Sequence, residues 1–135
     1  MQWKTVVTLG VFGLLMGIAS VFGYTEGAET VLWIAIALFA AYWLEKHVEQ
    51  RLLVHGICAG VLIGFINSIV QAAFFSSYLA NNPLAAKGFV DTGGVAPRVF
   101  VVVVGTLIGF VYGLVLGGLA LAARKLLARR TRSDF

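Results

Sequence analysis

Four long apolar runs, carrying Asp, Glu, Lys and Arg only near their ends, leave this chain few ways to fold. They fall at about residues 4–23, 28–47, 52–79 and 98–123. A backbone placed in hydrocarbon must satisfy its polar groups within the same segment, so such runs become helices. Crossing a core about 30 Å thick takes roughly 20 residues. The chain has 135 residues, 60% of them hydrophobic and 12% charged. Soluble domains carry about a quarter charged residues, and a small one buries only roughly two-thirds of its unfolded surface. A soluble globule of this size has nowhere to hide so much apolar area. The expected fold is all-α: a polytopic, four-transmembrane-helix bundle forming a single membrane domain over 1–135, with no separate soluble domain.

The segment ends are written in turn chemistry. Tyr24-Thr25-Glu26-Gly27 interrupts the first run, and Glu26 and Glu29 suit the positive end of the second helix. Asn81-Asn82-Pro83 closes the third, with Asn able to take a left-handed cap and Pro blocking continuation. Asp91-Thr92-Gly93-Gly94 reads as a turn, and Pro97 fits the first position of the fourth helix. The third run, 28 residues long, would reach about 42 Å as one helix and is expected to tilt or protrude. The first apolar stretch, 6–22, is 17 residues, longer than the roughly 7–15 of a signal-peptide core, and is read as a retained helix.

With four helices, both termini share one side. Lys4, Lys46, Arg51, Arg124, Lys125, Arg129, Arg130 and Arg132 belong to it, against Lys87 and Arg98 on the other. The positive-inside rule places that side, with both termini, in the cytoplasm. The net charge of +4 sits in short loops and a tail, where orientation and anionic lipid account for it without nucleic acid. The tail 124–135 holds Arg124, Lys125, Arg129, Arg130 and Arg132, each expected to gain about 1 kcal/mol near anionic headgroups. Trp3, Trp33, Trp43, Tyr24, Tyr42 and Tyr78 mostly lie near run ends, as an aromatic belt does.

Glycine at four-residue spacing is the strongest pattern. The fourth run has Gly105, Gly109, Gly113 and Gly117; the third has Gly56, Gly60 and Gly64, continued by Ser68, Ala72 and Ser76; the first has Gly13 and Gly17. Each set forms a stripe along one helix face. Lipid offers apolar side chains no reason to leave it, so helices associate by close contact, which small residues permit. Two uses are open: packing within the bundle, or a surplus stripe, best that of the fourth helix, meeting another copy or a partner. Gly13 to Gly17 followed by Ser20 also echoes Gly60 to Gly64 followed by Ser68, a faint internal repeat.

The polar residues inside the runs are neutral. Asn67 and Gln71, four apart, share a face with Ser68 beside them. They suit either interhelical hydrogen bonds or the lining of a small-solute site. The six carboxylates, Glu26, Glu29, Glu45, Glu49, Asp91 and Asp134, lie outside the runs or at their ends. That argues against a proton relay built on a central carboxylate, as in small multidrug exporters or ATP-synthase rotor subunits. His47 and His55 flank the second turn and could face each other, yet no further ligand completes a metal or haem site. Cys58 stands alone in an apolar run and is read as a small buried hydrophobe. No nucleophile–base pair or phosphate loop is present, so neither catalysis nor a cofactor is expected.

The stretch 55–67, opening on His55-Gly56 and reaching Asn67, and the stop at Asn82-Pro83 resemble an uncharacterised family of small four-helix bacterial inner-membrane proteins, in which a glycine-led third helix ends near Asn-Pro. The resemblance implies the helix count and a bacterial inner (plasma) membrane, and no activity. The expected function is a non-enzymatic integral membrane protein, a self-associating or accessory subunit of a membrane assembly. The alternative is a small transporter or channel for a neutral or weakly charged solute, using the Asn67/Gln71 face. An electron-transfer subunit holding haem or quinone would rest on His47 and His55 alone.

Overall fold

The computed structural model describes residues 1–133; Asp134 and Phe135, the end of the basic tail, lie outside the described residues. The described chain is helical throughout, with no strand: α1 (Trp3–Val21), α2 (Glu29–His47), α3 (Leu52–Ala73), α4 (Phe75–Asn81), α5 (Pro83–Ala86), a 3-10 turn (Lys87–Phe89) and α6 (Pro97–Ser133). Three helices, α1, α3 and α6, are long and apolar enough to cross a membrane. α2 is as long as α1 but ends in Glu45-Lys46-His47 and is not among them. Large apolar side chains, such as Val7, Val11 and Leu15 on α1 and Val103, Leu107 and Val111 on α6, stand exposed. Water would not tolerate so much contiguous apolar surface.

The chain order is not the packing order. α3 is central, with its largest contact to α6 and the next to α1, while α2 lies on α6. Residue pairs fix the directions. Gly56, Gly60 and Gly64 meet Gly117, Gly113 and Gly109, so α3 and α6 are antiparallel. Gly13 meets Ile63 and Gly17 meets Val70, so α1 and α3 run parallel. The N-termini of α1 and α3, the C-terminus of α2 and the C-terminal part of α6 therefore lie at one end of the molecule, with Gln2 bonded to His55 and Arg124 to Glu45 and Glu49.

The two glycine stripes lie against one another. A Cβ at Gly64 would stand 2.5 Å from the Gly105 carbonyl oxygen and 2.7 Å from the Gly109 Cα. At Gly60 it would fall on the Cα and amide nitrogen of Gly113, and at Gly56 on those of Gly117. From the other side, Cβ atoms at Gly109 and Gly113 would lie 2.5 and 2.7 Å from the carbonyl oxygens of Gly60 and Gly56. No real side chain sits so close to backbone, so glycine is what lets these helices touch. A stripe of α6 left over for another copy is not what this arrangement offers. Gly118 alone on α6 has open space beside it. The echo between α1 and α3 is not matched by their surroundings: Gly13 and Gly17 face Ile63 and Val70, whereas Gly60 and Gly64 face α6.

Where the structure departs from the sequence reading, the causes are local. The third run does not continue to residue 79. It breaks at Phe74 (φ −109°, ψ 40°), and α4 starts afresh. α3 keeps 22 residues, about 33 Å, which matches a bilayer core without protrusion. Asn81 and Asn82 take no left-handed cap, since Arg51 is the one described non-glycine residue with positive φ. Their amides reach across instead: Asn81 Nδ2 donates to the Val21 carbonyl (2.9 Å), and Asn82 Nδ2 to those of Ser20 (2.6 Å) and Tyr78 (2.8 Å). They supply partners to the orphan carbonyls at the end of α1. Gly23, with φ 78°, lies beneath them, where a Cβ would stand 2.6 Å from the Asn81 carbonyl oxygen. The fourth helix does not end near 123: α6 continues through the basic tail to Ser133, 37 residues in all.

The packed core occupies one half of the molecule. Val6 and Leu9, Ala40 and Leu44, Leu52, Ala59 and Ile63, with Leu116 and Ala120, form one buried cluster toward the termini.

Replacing Gly60 by Leu forces a side chain into the backbone of α6, where overpacking costs at least about 3 kcal/mol. Gly118→Leu enters open space. Thermal unfolding in detergent, followed by circular dichroism, should show collapse of the first variant and a near-native midpoint for the second.

Candidate ligand cavity

The half of the molecule away from the termini is open rather than packed. There α2 stands apart from the α3–α6 pair, and a cavity of about 570 Å³ lies between them. Binding pockets for small molecules commonly span about 300–1,000 Å³ and are mostly apolar with a few placed polar groups. Ile34 and Ala37 of α2, Ile63 and Gly64 of α3, and Val104 and Ile108 of α6 supply apolar wall. Gly64, Gly105 and Gly109 line it with backbone, their missing side chains being directed into the α3–α6 contact.

The polar groups arrive from three directions. Asn67 and Gln71 project from the second half of α3 into the cavity. Gln71 is 6% exposed, and its Nε2 donates to Ser20 Oγ of α1 at 3.0 Å. It is thus partly consumed as an interhelical bond. The Asn67 side chain takes part in no hydrogen bond among the described residues, so its amide is free to meet whatever enters. Ser68 does not join them. It is fully buried on the other face, pressed against Gly105, with its hydroxyl directed to the carbonyls of Gly64 (2.8 Å) and Phe65 (3.0 Å). One residue of offset turns a helix face by about 100°, enough to move Ser68 from cavity to contact.

The α2 wall is braced from within. Tyr112 of α6 donates its hydroxyl to the Trp33 carbonyl at 2.7 Å, and the two rings meet edge to face at 5.3 Å. Trp33 Nε1 donates to Glu29 Oε1 at 3.3 Å. The far end is closed by aromatic rings. Phe89, from the 3-10 turn, lies 5.3 Å from Phe75, 6.0 Å from Phe100 and 6.4 Å from Tyr78, each nearly perpendicular. Tyr78, Phe89 and Phe100 line the cavity. Burial, with Glu29 and Glu26 nearby, raises the Tyr78 hydroxyl above its ordinary range. It stays a neutral donor at every physiological pH.

Several of these groups carry no sequence signal. Trp33 and Tyr78 read as belt aromatics by their position near run ends, but both face the cavity. Glu29 reads as a helix-end charge and also lines it. Phe100 and Tyr112 sit in apolar surroundings in the sequence and Phe89 in a loop-like stretch, and only the fold assembles them.

The remaining sequence candidates lie elsewhere. His47 donates Nδ1 to the Trp43 carbonyl at 2.9 Å and stacks on the Trp43 ring at 4.1 Å. His55 is buried, with Nδ1 bonded to the Arg51 carbonyl at 2.9 Å and Nε2 accepting from the Gln2 amide at 3.0 Å. With Nε2 accepting, Nδ1 is the ring nitrogen that donates. Each histidine is engaged separately, and no group of three His, Cys, Asp or Glu able to hold a metal occurs among the described residues. Cys58 is half-buried at the edge of the core. Lys125, Arg129, Arg130 and Arg132 are exposed on the extension of α6. Arg124 differs from them: its guanidinium donates to the carbonyls of Glu49 (2.7 Å), Glu45 (3.0 Å) and Val48, which end α2. Glu45 stands 4.0 Å away as its ion-pair partner. Arg124 thus caps the C-terminal end of α2.

No protein-family model, curated protein or solved structure matches this chain.

Arg124→Leu removes charged donors from a helix C-terminus and should cost about 2 kcal/mol. Lys125→Leu, one residue on and exposed, should cost under about 0.5 kcal/mol. Chemical denaturation of the two variants measures the difference.

Proposed function

We propose that this chain is a non-enzymatic, four-helix integral membrane protein, with glycine-mediated packing of α3 on α6 and both termini on the cytoplasmic side, that binds a small, largely apolar molecule in the α2–α3–α6 cavity. The observation that carries the reading is the cavity itself, with the Asn67 amide exposed in it and without a protein partner. The amide offers a donor and an acceptor in a mostly apolar slot, which suits a ligand that supplies both. Carriage of a small solute across or within the bilayer is the use most consistent with such a site. The exposed basic side chains beyond Arg124 suit anionic headgroups, which would hold α6 at the membrane surface.

A second reading, an accessory subunit of a larger assembly, draws support from the extension of α6. It presents Lys125, Arg129, Arg130 and Arg132 on a helix that projects beyond the rest of the bundle. An acidic partner would fit it as well as lipid does. Self-association through a glycine stripe has less support, because the stripes of α3 and α6 occupy each other.

Native mass spectrometry of the tagged protein, released gently from its own membrane, separates the readings. The binding reading expects a small molecule retained by the wild type and lost from Val104→Trp, whose indole fills the cavity, with helix content unchanged. Identical spectra for both proteins would overturn it. A heteromeric mass would favour the accessory subunit.

A further inference from the structure

The chemistry of the cavity wall narrows what it admits. Glu29 is the one charged residue that lines it; no Lys, Arg or His does so. Its Oε1 accepts the Trp33 indole proton, and no described cation pairs with it. Glu26 lies close enough to act, with Glu29, on the same Tyr78 hydroxyl. At this end of the molecule Glu26, Glu29 and Asp91 outnumber Lys87 and Arg98, so the local field favours positive charge. Five aromatic side chains, Trp33, Tyr78, Phe89, Phe100 and Tyr112, also line the cavity. Their ring faces attract a cation, and the effect grows as the cation leaves water. A carboxylate, aromatic rings and aliphatic wall around one cavity form a consistent set. An anion would meet repulsion from Glu29 and no donor cation within.

We propose that the cavity selects a lipophilic organic cation, an ammonium or phosphonium with an apolar body, whose charge lies among the aromatic rings and Glu29 while its body rests on Ile34, Val104 and Ile108. This rests on the reading of the cavity as a binding site. The Asn67 carbonyl oxygen would accept from an N–H where the cation has one. A quaternary cation would rely on Glu29 and the rings alone.

Tetraphenylphosphonium, tetraphenylborate and neutral triphenylphosphine oxide have similar bulk and differ in charge. Their protein-dependent binding is measured by equilibrium dialysis on the wild-type protein in lipid nanodiscs, with Val104→Trp nanodiscs giving the background. The cation is expected to bind roughly tenfold more tightly than the neutral probe, and the anion more weakly than either. Glu29→Gln keeps an oxygen for Trp33 Nε1 and should remove most of that advantage, leaving the neutral probe within about twofold. Equal binding of cation and neutral probe, or a cation advantage that survives in Glu29→Gln, would overturn the charge selection and leave the cavity a binding site. Absence of saturable binding by every probe would overturn both.

Discussion

Backbone against backbone, along the glycine faces of α3 and α6, is the contact on which the rest of the structure depends. In lipid the helices gain little by hiding apolar side chains from an equally apolar solvent. Attraction must come from dispersion at short range, summed over many atoms, with carbonyl oxygens near Cα hydrogens adding weakly. Gly56, Gly60 and Gly64 opposite Gly117, Gly113 and Gly109 bring the two helices to that range over about three turns. α1 then lies on the next face of α3, where Gly13 and Gly17 allow a second close approach, and α2 is left to pack on α6.

That arrangement divides the molecule along its length. Toward the termini, alternating alanine and leucine fill the space: Ala40 and Leu44 on α2, Leu116 and Ala120 on α6, all buried. Arg124 ties the end of α2 to α6 there. Toward the other end, α2 diverges from the α3–α6 pair and is linked to α6 through Trp33 and Tyr112. The cavity lies in that divergence, walled by aliphatic side chains such as Ile63, Val104 and Ile108 and by the backbone of the seam. What closes it is aromatic, and it comes from the short helices and turn between α3 and α6, joined by Phe100 in the first turn of α6.

Much of the helical layout was legible because hydrophobic runs and turn residues are local signals. α1 and α2 begin and end within two residues of the expected limits, and Pro97 starts α6. The break at Phe74 was not legible, since 74–78 holds no Gly or Pro to announce it. The tail was read as an extension because of its charge, although Ala, Leu, Lys and Arg are all strong helix formers. Of the candidate site, Asn67 and Gln71 could be placed on one face by spacing. Their neighbours across the cavity could not, because Trp33, Phe89 and Tyr112 come from three other segments. Asn82 and Arg124 carried the right chemistry for caps, yet sequence does not reveal that the helix each one serves is distant in the chain.

The unbroken course of α6 has a mechanical consequence. Its first half is cavity wall and its last turns are the basic extension, with no proline, glycine pair or irregular turn from Ala120 onward to absorb bending. Beyond Arg124, which the end of α2 holds, the arm to Ser133 is about 14 Å long, so a tilt of about 10° displaces its tip by roughly 2 Å. The exposed basic side chains therefore stand at a nearly fixed distance from that anchor, carried on a strut rather than on a flexible tail.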